Sequence, residues 1–399
     1  GWTEEHLLRQ SAIVRILRRS MMVAEGASAI AETLVKDLVR GGYFPNGTIP
    51  EARVTELERV IGKYLFLFER VRARAPRERG KLEDWLNGIA AAEVEAFLDP
   101  PFREEALLEF ATEDLEHRIT LQKPIPAQER ENLIFIAIRQ SLYKLDEPMI
   151  THQLLQYYVP GWNELSSLGP SRDALEKFAD DIVRWHGSIT RAFRHSLSER
   201  FYWATSAIDT PYLILGDLLN DLAKKEELTE EALPEGDALT ERVLAAYRVR
   251  TAAQTKKSLR AAFYSTLSIF ASKMILAFAV EIPIDRLTGT LQSATVIANI
   301  AIPPILMIAL VFFGFTRPTR RDADRVVDEL NRILAGNPSP FHIRLPGRRP
   351  IFLRGLVGLL YVAGAATTFG FIIWTLTRLH FSPLSQGIFI FFVSLIAYA

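Results

Sequence analysis

Hydrophobic and polar positions divide this chain into two regimes. Up to about residue 255, apolar residues recur at helical spacing among many charges; beyond it they merge into long uncharged runs. Within 51–74, Val54, Leu57, Ile61, Tyr64, Phe68 and Val71 step by 3, 4, 3, 4, 3, which places a narrow apolar seam on one helix. So short a seam predicts packing inside a bundle rather than an extended coiled coil. Further helices are expected over 4–22, 28–40, 82–98, 127–144, 172–205 and 211–225. Their ends are marked by Gly41-Gly42, Pro76, Pro100-Pro101, Pro124, Pro126, Pro160-Gly161, Gly169-Pro170, Pro211 and Pro234-Glu235-Gly236. No strict alternation and no fixed-period repeat interrupts them, so the expected class is all-α.

The two regimes meet in one segment. Between Ala238 and Ile282 there is neither Gly nor Pro, Asp237 is a candidate N-cap and Pro283 a candidate stop. A continuous helix of that length would be roughly 65 Å long at about 1.5 Å per residue. Its first half carries Glu241, Arg242, Arg248, Arg250, Lys256, Lys257 and Arg260, whereas from Ala261 to Val280 the sole charge is Lys273. One rod would therefore leave water and enter a bilayer.

Further apolar stretches fill the second regime: the uncharged interval Leu287–Thr316, the run Gly355–Thr377, and Pro383–Ala399. The expected architecture is a cytoplasmic helical bundle joined by a long continuous helix to an α-helical transmembrane domain of at least four spans. Its parts are a helical domain (1–236), a stem (237–260), spans one and two (261–316), a cytoplasmic loop (317–349), and spans three and four (350–399). The abrupt ends, Gly-Trp and an apolar run without a polar anchor, lead us to expect a portion of something longer.

Charge sets the expected orientation. Arg317, Arg320, Arg321, Arg325, Arg332, Arg344, Arg348 and Arg349 crowd the loop between spans two and three, while the short connections hold Arg286 or Arg378. The positive-inside rule then puts the long loop, the stem and the N-terminal domain on the cytoplasmic side of a plasma (inner) membrane, in a multi-pass protein. Within the loop, Val326, Val327, Leu330, Ile333 and Leu334 form an apolar stripe ended by Gly336-Asn337-Pro338. This helix needs a partner: the membrane surface, the N-terminal domain, or another subunit.

Polar groups within the spans are the candidate site. A charge such as Lys273 costs at least ~2.5 kcal/mol in a bilayer, and both interfaces lie beyond comfortable reach of its side chain. Antiparallel packing would bring Thr295 and Asn299 of span two to its depth. Pro303 and Pro304 remove two helix donors and free the carbonyls of Asn299 and Ile300. Lys273, Thr295, Asn299, Pro303 and Pro304 thus form one intramembrane constellation, either a pin for helix register or an anion, headgroup or gate site. Ala366 and Gly370, with Gly355, Gly358 and Gly364 nearby, predict close packing of span three against a neighbour.

Composition changes the picture chiefly by exclusion. Lys plus Arg equals Asp plus Glu at 47 each, and there is no Cys, so neither nucleic acid nor thiolate chemistry is indicated. No phosphate-binding loop, dinucleotide fingerprint, nucleophile elbow or EF-hand is present, and no cofactor or metal is expected. His195 and Glu199 share a helix face but lack a third ligand. Arg70, Arg72, Arg74, Arg77 and Arg79 form a basic cluster suited to anionic lipid headgroups or an acidic partner, or else a solvated helix end. Trp185 to Trp203 is aromatic and basic, as at an interface or in a core. The expected partners are the lipid bilayer and other membrane proteins, including further copies. The expected role is a scaffold or regulatory subunit of a membrane assembly, with a channel or transporter gated through the cytoplasmic domain as the alternative.

Overall fold

In the computed structural model, the structure describes residues 4–22, 26–121, 124–224, 236–287, 301–302, 305, 309, 319–343, 351–379 and 381–398. The architecture is all-helical, with 82% of the described residues in helix. It separates into two compact units, Gly1–Pro234 with Val326–Leu345, and Glu235–Arg325 with Pro346–Ala399.

The first unit opens with α1 (Glu4–Met22), α2 (Ala27–Arg40), α3 (Glu51–Arg74) and α4 (Arg79–Leu98). The seam of α3 is buried as its spacing requires: Leu57, Ile61, Tyr64, Phe68 and Val71 enter the core, and Val54 packs at its edge. Helix α3 packs against α2, α4 and α8 (Arg172–Asp180), the arrangement of a bundle. Helices α5 (Phe102–Arg118), α6 (Ala127–Tyr143) and α7 (Glu147–Tyr158) follow. Neither α5 nor α7 is among the helices that periodicity predicts. Helix α7 is buried from Met149 through Leu155, polar residues included, so it shows no amphipathic stripe; its start is fixed by Asp146, whose side chain accepts from the Met149 amide at 3.1 Å.

The single helix expected over 172–205 is three: α8, α9 (Ile182–Phe193) and α10 (Ser198–Ser206), followed by α11 (Thr210–Lys224). Local preference runs on through the breaks, but packing does not. Each short helix turns its apolar face, Phe178, Ile189 and Phe201, toward the common core. The aromatic stretch is therefore mixed. Phe201 is fully buried and Trp185 stacks on Phe178 at 5.9 Å, while Trp203 is exposed.

The unit closes on chain from far downstream. Helix α14 (Arg320–Leu334) buries Val327, Leu330 and Ile333, with Val326 half-buried and Leu334 exposed. Thr319 and Asp322 form a reciprocal cap at its start, the Thr319 amide donating to the Asp322 carboxylate at 2.9 Å. Its end is a Schellman turn: Gly336 has φ 68°, the Asn337 amide donates to the Arg332 carbonyl at 2.9 Å, and that of Gly336 to Ile333 at 3.1 Å. The chain then forms β2 (Phe341–Ile343), parallel to β1 (Ile119–Leu121) in the register Ile119↔Phe341, Thr120↔His342, Leu121↔Ile343. Three-residue strands are too short to display alternation, which is why the sequence predicts none.

The second unit contains α12 (Asp237–Leu276), a π-helical turn (Ala277–Glu281) and α13 (Ile282–Leu287). Two expectations need correction. The N-cap is Gly236, at φ 62°, and Asp237 is the first helical residue, where its charge favours the helix N-terminus. Pro283 does not stop the helix. It falls in the first turn of α13, where a missing amide donor is tolerated, after the wider turn has shifted the hydrogen-bond ladder.

Helix α15 (Ile351–Arg378) and α16 (Pro383–Tyr398) complete the unit. Two helices, Asp237–Ile284 and Gly355–Arg378, are long and apolar enough to cross a membrane, and Pro383–Leu395 is a shorter apolar helix. Leu359, Tyr361, Val362, Phe371 and Trp374 of α15 are all exposed, so much of its apolar surface is left uncovered by the described residues, while Leu376 near its end is buried against Phe381 and Phe389. Thr367, Thr368, Thr375 and Thr377 return their hydroxyls to carbonyls one turn back, which removes free donors from its surface. Open space surrounds Gly355, Gly358, Gly364 and Gly370, so the expected close packing at these residues is not made by the described chain.

Candidate functional site

Lys273 is a buried cation in the apolar half of its helix. It is 2% exposed, on the last turn of α12 before the π-helical turn. Its ammonium lies 5.2 Å from the ring centre of Phe389 and 5.5 Å from that of Phe392, both on α16. Paired aromatic faces attract a cation by about 0.5–2 kcal/mol each when desolvated. Sequence reasoning set Lys273 against span two; the rings that approach it here belong to α16. Thr295, Asn299, Pro303 and Pro304 lie outside the described residues. The aromatic partners escaped sequence reasoning because nothing there fixes which helix faces which.

A second constellation centres on Arg118, at the end of α5 and 5% exposed. Its Nε donates to the Ser339 carbonyl at 2.9 Å, and one terminal nitrogen donates to Asp114 Oδ2 at 3.0 Å and to the Tyr212 hydroxyl at 2.7 Å. The other terminal nitrogen donates to Glu329 of α14. Glu329 in turn accepts from the Ser339 hydroxyl at 2.7 Å, and that hydroxyl accepts from Arg332 at 2.8 Å. One buried guanidinium thus collects α5, α11, α14 and the segment leading to β2. Burial alone would lower the Arg118 pKa; Tyr212, Asp114 and Glu329 outweigh it and hold the cation above its usual value. Burial, joined by Asp114, pushes the Tyr212 phenol up. This arrangement resolves the choice for the amphipathic loop helix in favour of the N-terminal domain for the portion from Val326 onward.

Deeper in the bundle, Glu93 of α4 is the acceptor of a closed network. Lys63 donates to Glu93 Oε1 at 2.6 Å and to the Trp162 carbonyl at 2.9 Å, and Tyr64 and the Trp162 indole reach Oε2 at 2.6 and 3.0 Å. Lys63 also sits 4.4 Å from the centre of the Trp162 ring. Burial lowers the Lys63 pKa against the pull of Glu93, and burial with Glu93 raises that of Tyr64. His152 lies 3.8 Å from Glu93 Oε2, and burial lowers its pKa to about 4, so it is neutral. Sealed on all sides, this group ties α3, α4 and α7 together; nothing in it is placed to meet a substrate.

The basic cluster is largely spoken for within the bundle. Arg70 pairs with Glu176 at 3.0 Å, Arg72 and Arg79 with Glu83 at 2.8 and 3.0 Å, and Arg74 with Asp180. Arg77 has no carboxylate partner among the described residues. His195 Nε2 lies 3.6 Å from Glu129 of α6, and among the described residues no group of three His, Cys, Asp or Glu converges on a metal position.

Comparison of the chain with protein-family models, with curated proteins and with solved structures returned no match, so the functional reading rests on geometry and sequence.

Proposed function

We propose that this chain is a multi-pass membrane protein whose helical N-terminal unit, on the cytoplasmic side, serves as a scaffold or regulatory subunit of a membrane assembly. The observation that carries the reading is the Arg118 network. It anchors Glu329 and Ser339, residues of the connector between the second and third apolar segments, onto the bundle, so whatever binds the bundle acts on that connector. In this reading four or more apolar segments cross the bilayer, with the arginine-rich connector and the stem inside. The membrane partners are lipid and other membrane proteins, or further copies of this chain, and Arg77 remains available to an anionic headgroup.

A channel or transporter is the second reading, with Lys273, Asn299 and the Pro303-Pro304 kink at the pathway. The close approach of Lys273 to Phe389 and Phe392 supports a register pin over a wet gate. Two assays test the proposal. In the cysteine-free chain, single cysteines replacing Asp285 and Arg320 should be labelled by an impermeant maleimide from outside and only after permeabilisation, respectively; external labelling at position 320 overturns the orientation. Proteoliposomes should show no solute flux that Lys273→Leu abolishes. Such a flux would establish the transporter instead.

A further inference from the structure

A groove of about 650 Å³ lies between α5, α6 and α7, within the first unit, and none of the networks above uses it. Four glutamates of α5, Glu105, Glu109, Glu113 and Glu116, fall on one face and line it together with Glu131 of α6. None of the five forms an ion pair among the described residues. An acidic face alone would be ordinary solvated surface; the floor of this one is different.

Arg139 of α6 lies there, 6% exposed and lining the groove. Its Nε donates to Gln153 Oε1 at 2.6 Å, and one terminal nitrogen reaches the Thr112 hydroxyl and the Phe135 carbonyl, each at 3.3 Å. The second terminal nitrogen has no hydrogen-bond partner among the described residues and is not among the polar atoms sealed from solvent. No carboxylate comes within ion-pair distance of this buried cation, although Glu105 and Glu109 act on it through space. Burial lowers its pKa to about 9, which leaves it charged at neutral pH. The guanidinium also lies 3.2 Å from the centre of the Phe135 ring, so what it lacks is a carboxylate, the group whose two oxygens match a guanidinium. Beside it Phe135 and Tyr157 stand 5.9 Å apart, and Tyr157 is largely exposed at the mouth.

These features constrain the occupant. A polyamine would answer the glutamates and leave Arg139 without a carboxylate; a wholly acidic ligand would answer Arg139 and be repelled by the glutamates. The acidic row from Glu105 to Glu116 extends roughly 16 Å at about 1.5 Å per residue, which is too long for one amino acid and matches about five residues of extended chain. We infer that the groove binds the C-terminal end of a basic peptide, its terminal carboxylate on the free edge of Arg139 and its Lys or Arg side chains along Glu109, Glu113, Glu116 and Tyr157. Carboxylate capture gives orientation, and the glutamates with the aromatic face give selection for cations. This supplies a partner chemistry for the scaffold reading without depending on it, since the groove is complete within one unit.

The test uses the full chain in nanodiscs and an N-terminally fluorescein-labelled peptide, Lys-Arg-Lys-Arg-Leu, followed by fluorescence anisotropy. The free-acid peptide should bind about tenfold or more tightly than its C-terminal amide, the loss expected for one buried charge-assisted contact. Glu109→Gln/Glu113→Gln, both on exposed surface, should weaken the acid peptide about tenfold and flatten its salt dependence, and Tyr157→Ala should weaken it several-fold. Arg139→Gln should erase the acid-over-amide preference; if that variant melts early, the amide comparison on the unmodified chain carries the same information. Equal binding of acid and amide, displacement by spermine as effective as by unlabelled peptide, or absence of binding at millimolar peptide each overturns the proposal. Topology and flux results leave this outcome unaffected, so its failure is separable from that of the proposed function.

Discussion

The Arg118 side chain and the Ser339 backbone are joined by a 2.9 Å hydrogen bond from guanidinium Nε to carbonyl, between residues 221 positions apart in the chain. Because Arg118 also binds Asp114, Tyr212 and Glu329, it is the point at which the connector is bolted to the bundle. Arg118→Ala leaves two carboxylates and a phenol without their cation. Removing one partner of such a buried network costs about 3–5 kcal/mol. Proteolysis at the exposed Ala335–Asn337 turn should accelerate in the variant, and addition of Glu329→Gln should recover part of the loss. Unchanged cleavage would show that Arg118 does not hold the connector.

The apolar contribution of α14 is separable from the polar one. Leu330 is fully buried and Leu334 is exposed. Leu330→Ala should destabilise the docked connector by about 2–5 kcal/mol, as cavity-forming substitutions do, and Leu334→Ala by about 0.5 kcal/mol or less. Hydrogen exchange of the 341–343 amides checks both, with acceleration in the first variant alone.

Much of this was legible in residue order. The α3 seam, the Gly336 terminus and the apolar face of α14 all follow from periodicity and turn chemistry, because these elements have one wet side and one dry side. What escaped reading was buried on every side or built from distant parts. Helix α7 hides Thr151, His152 and Gln153 alongside its leucines, so its pattern lacks a polar face. Strands β1 and β2 exist because Ile119 and Phe341 are brought together by α14. The groove was invisible for the same reason: α5, which supplies four of its five glutamates, and α7, which supplies Gln153 and Tyr157, carry no clear stripe, and Arg139 reads as an ordinary surface arginine until their packing buries it.

Two buried groups should oppose one another in acid. His152, neutral with a pKa near 4 in the fold and about 6.5 when free, binds no proton between these values while the unfolded chain does, so stability falls as pH drops from 6.5 to 4, by on the order of 3 kcal/mol. Glu95 runs the other way. Burial raises its pKa to about 7 despite Arg9 at 3.2 Å, so its contribution is full below about 4.5 and is lost as pH rises through 7, again by on the order of 3 kcal/mol. His152→Gln should therefore gain stability as pH falls from 7 to 4.5, Glu95→Gln should lose it, and the parent chain should be flatter than either. Thermal midpoints across that range decide the matter; parallel profiles for all three would contradict it.

Lys273 should act as a packing residue. Lys273→Ala removes a cation from between Phe389 and Phe392, with an expected loss of about 1–2 kcal/mol, and Lys273→Arg should restore part of it through the same rings. Thermal unfolding in detergent is the readout. A lysine lining an open path would give the reverse pattern, with little change in stability.

The central claim, that the connector between apolar segments is held by the bundle, is tested most directly by a disulfide across the strand pair. Thr120 and His342 are register partners, and the Thr120 hydroxyl contacts the His342 ring on the exposed side of the pair. Since the chain has no cysteine, Thr120→Cys/His342→Cys introduces a single possible intramolecular bond. In membranes prepared from cells and oxidised briefly, the account predicts nearly complete intramolecular cross-linking, lost when Arg118→Ala is added. Free thiols that persist at both positions, under conditions where a control pair between α3 and α4 closes, would contradict it.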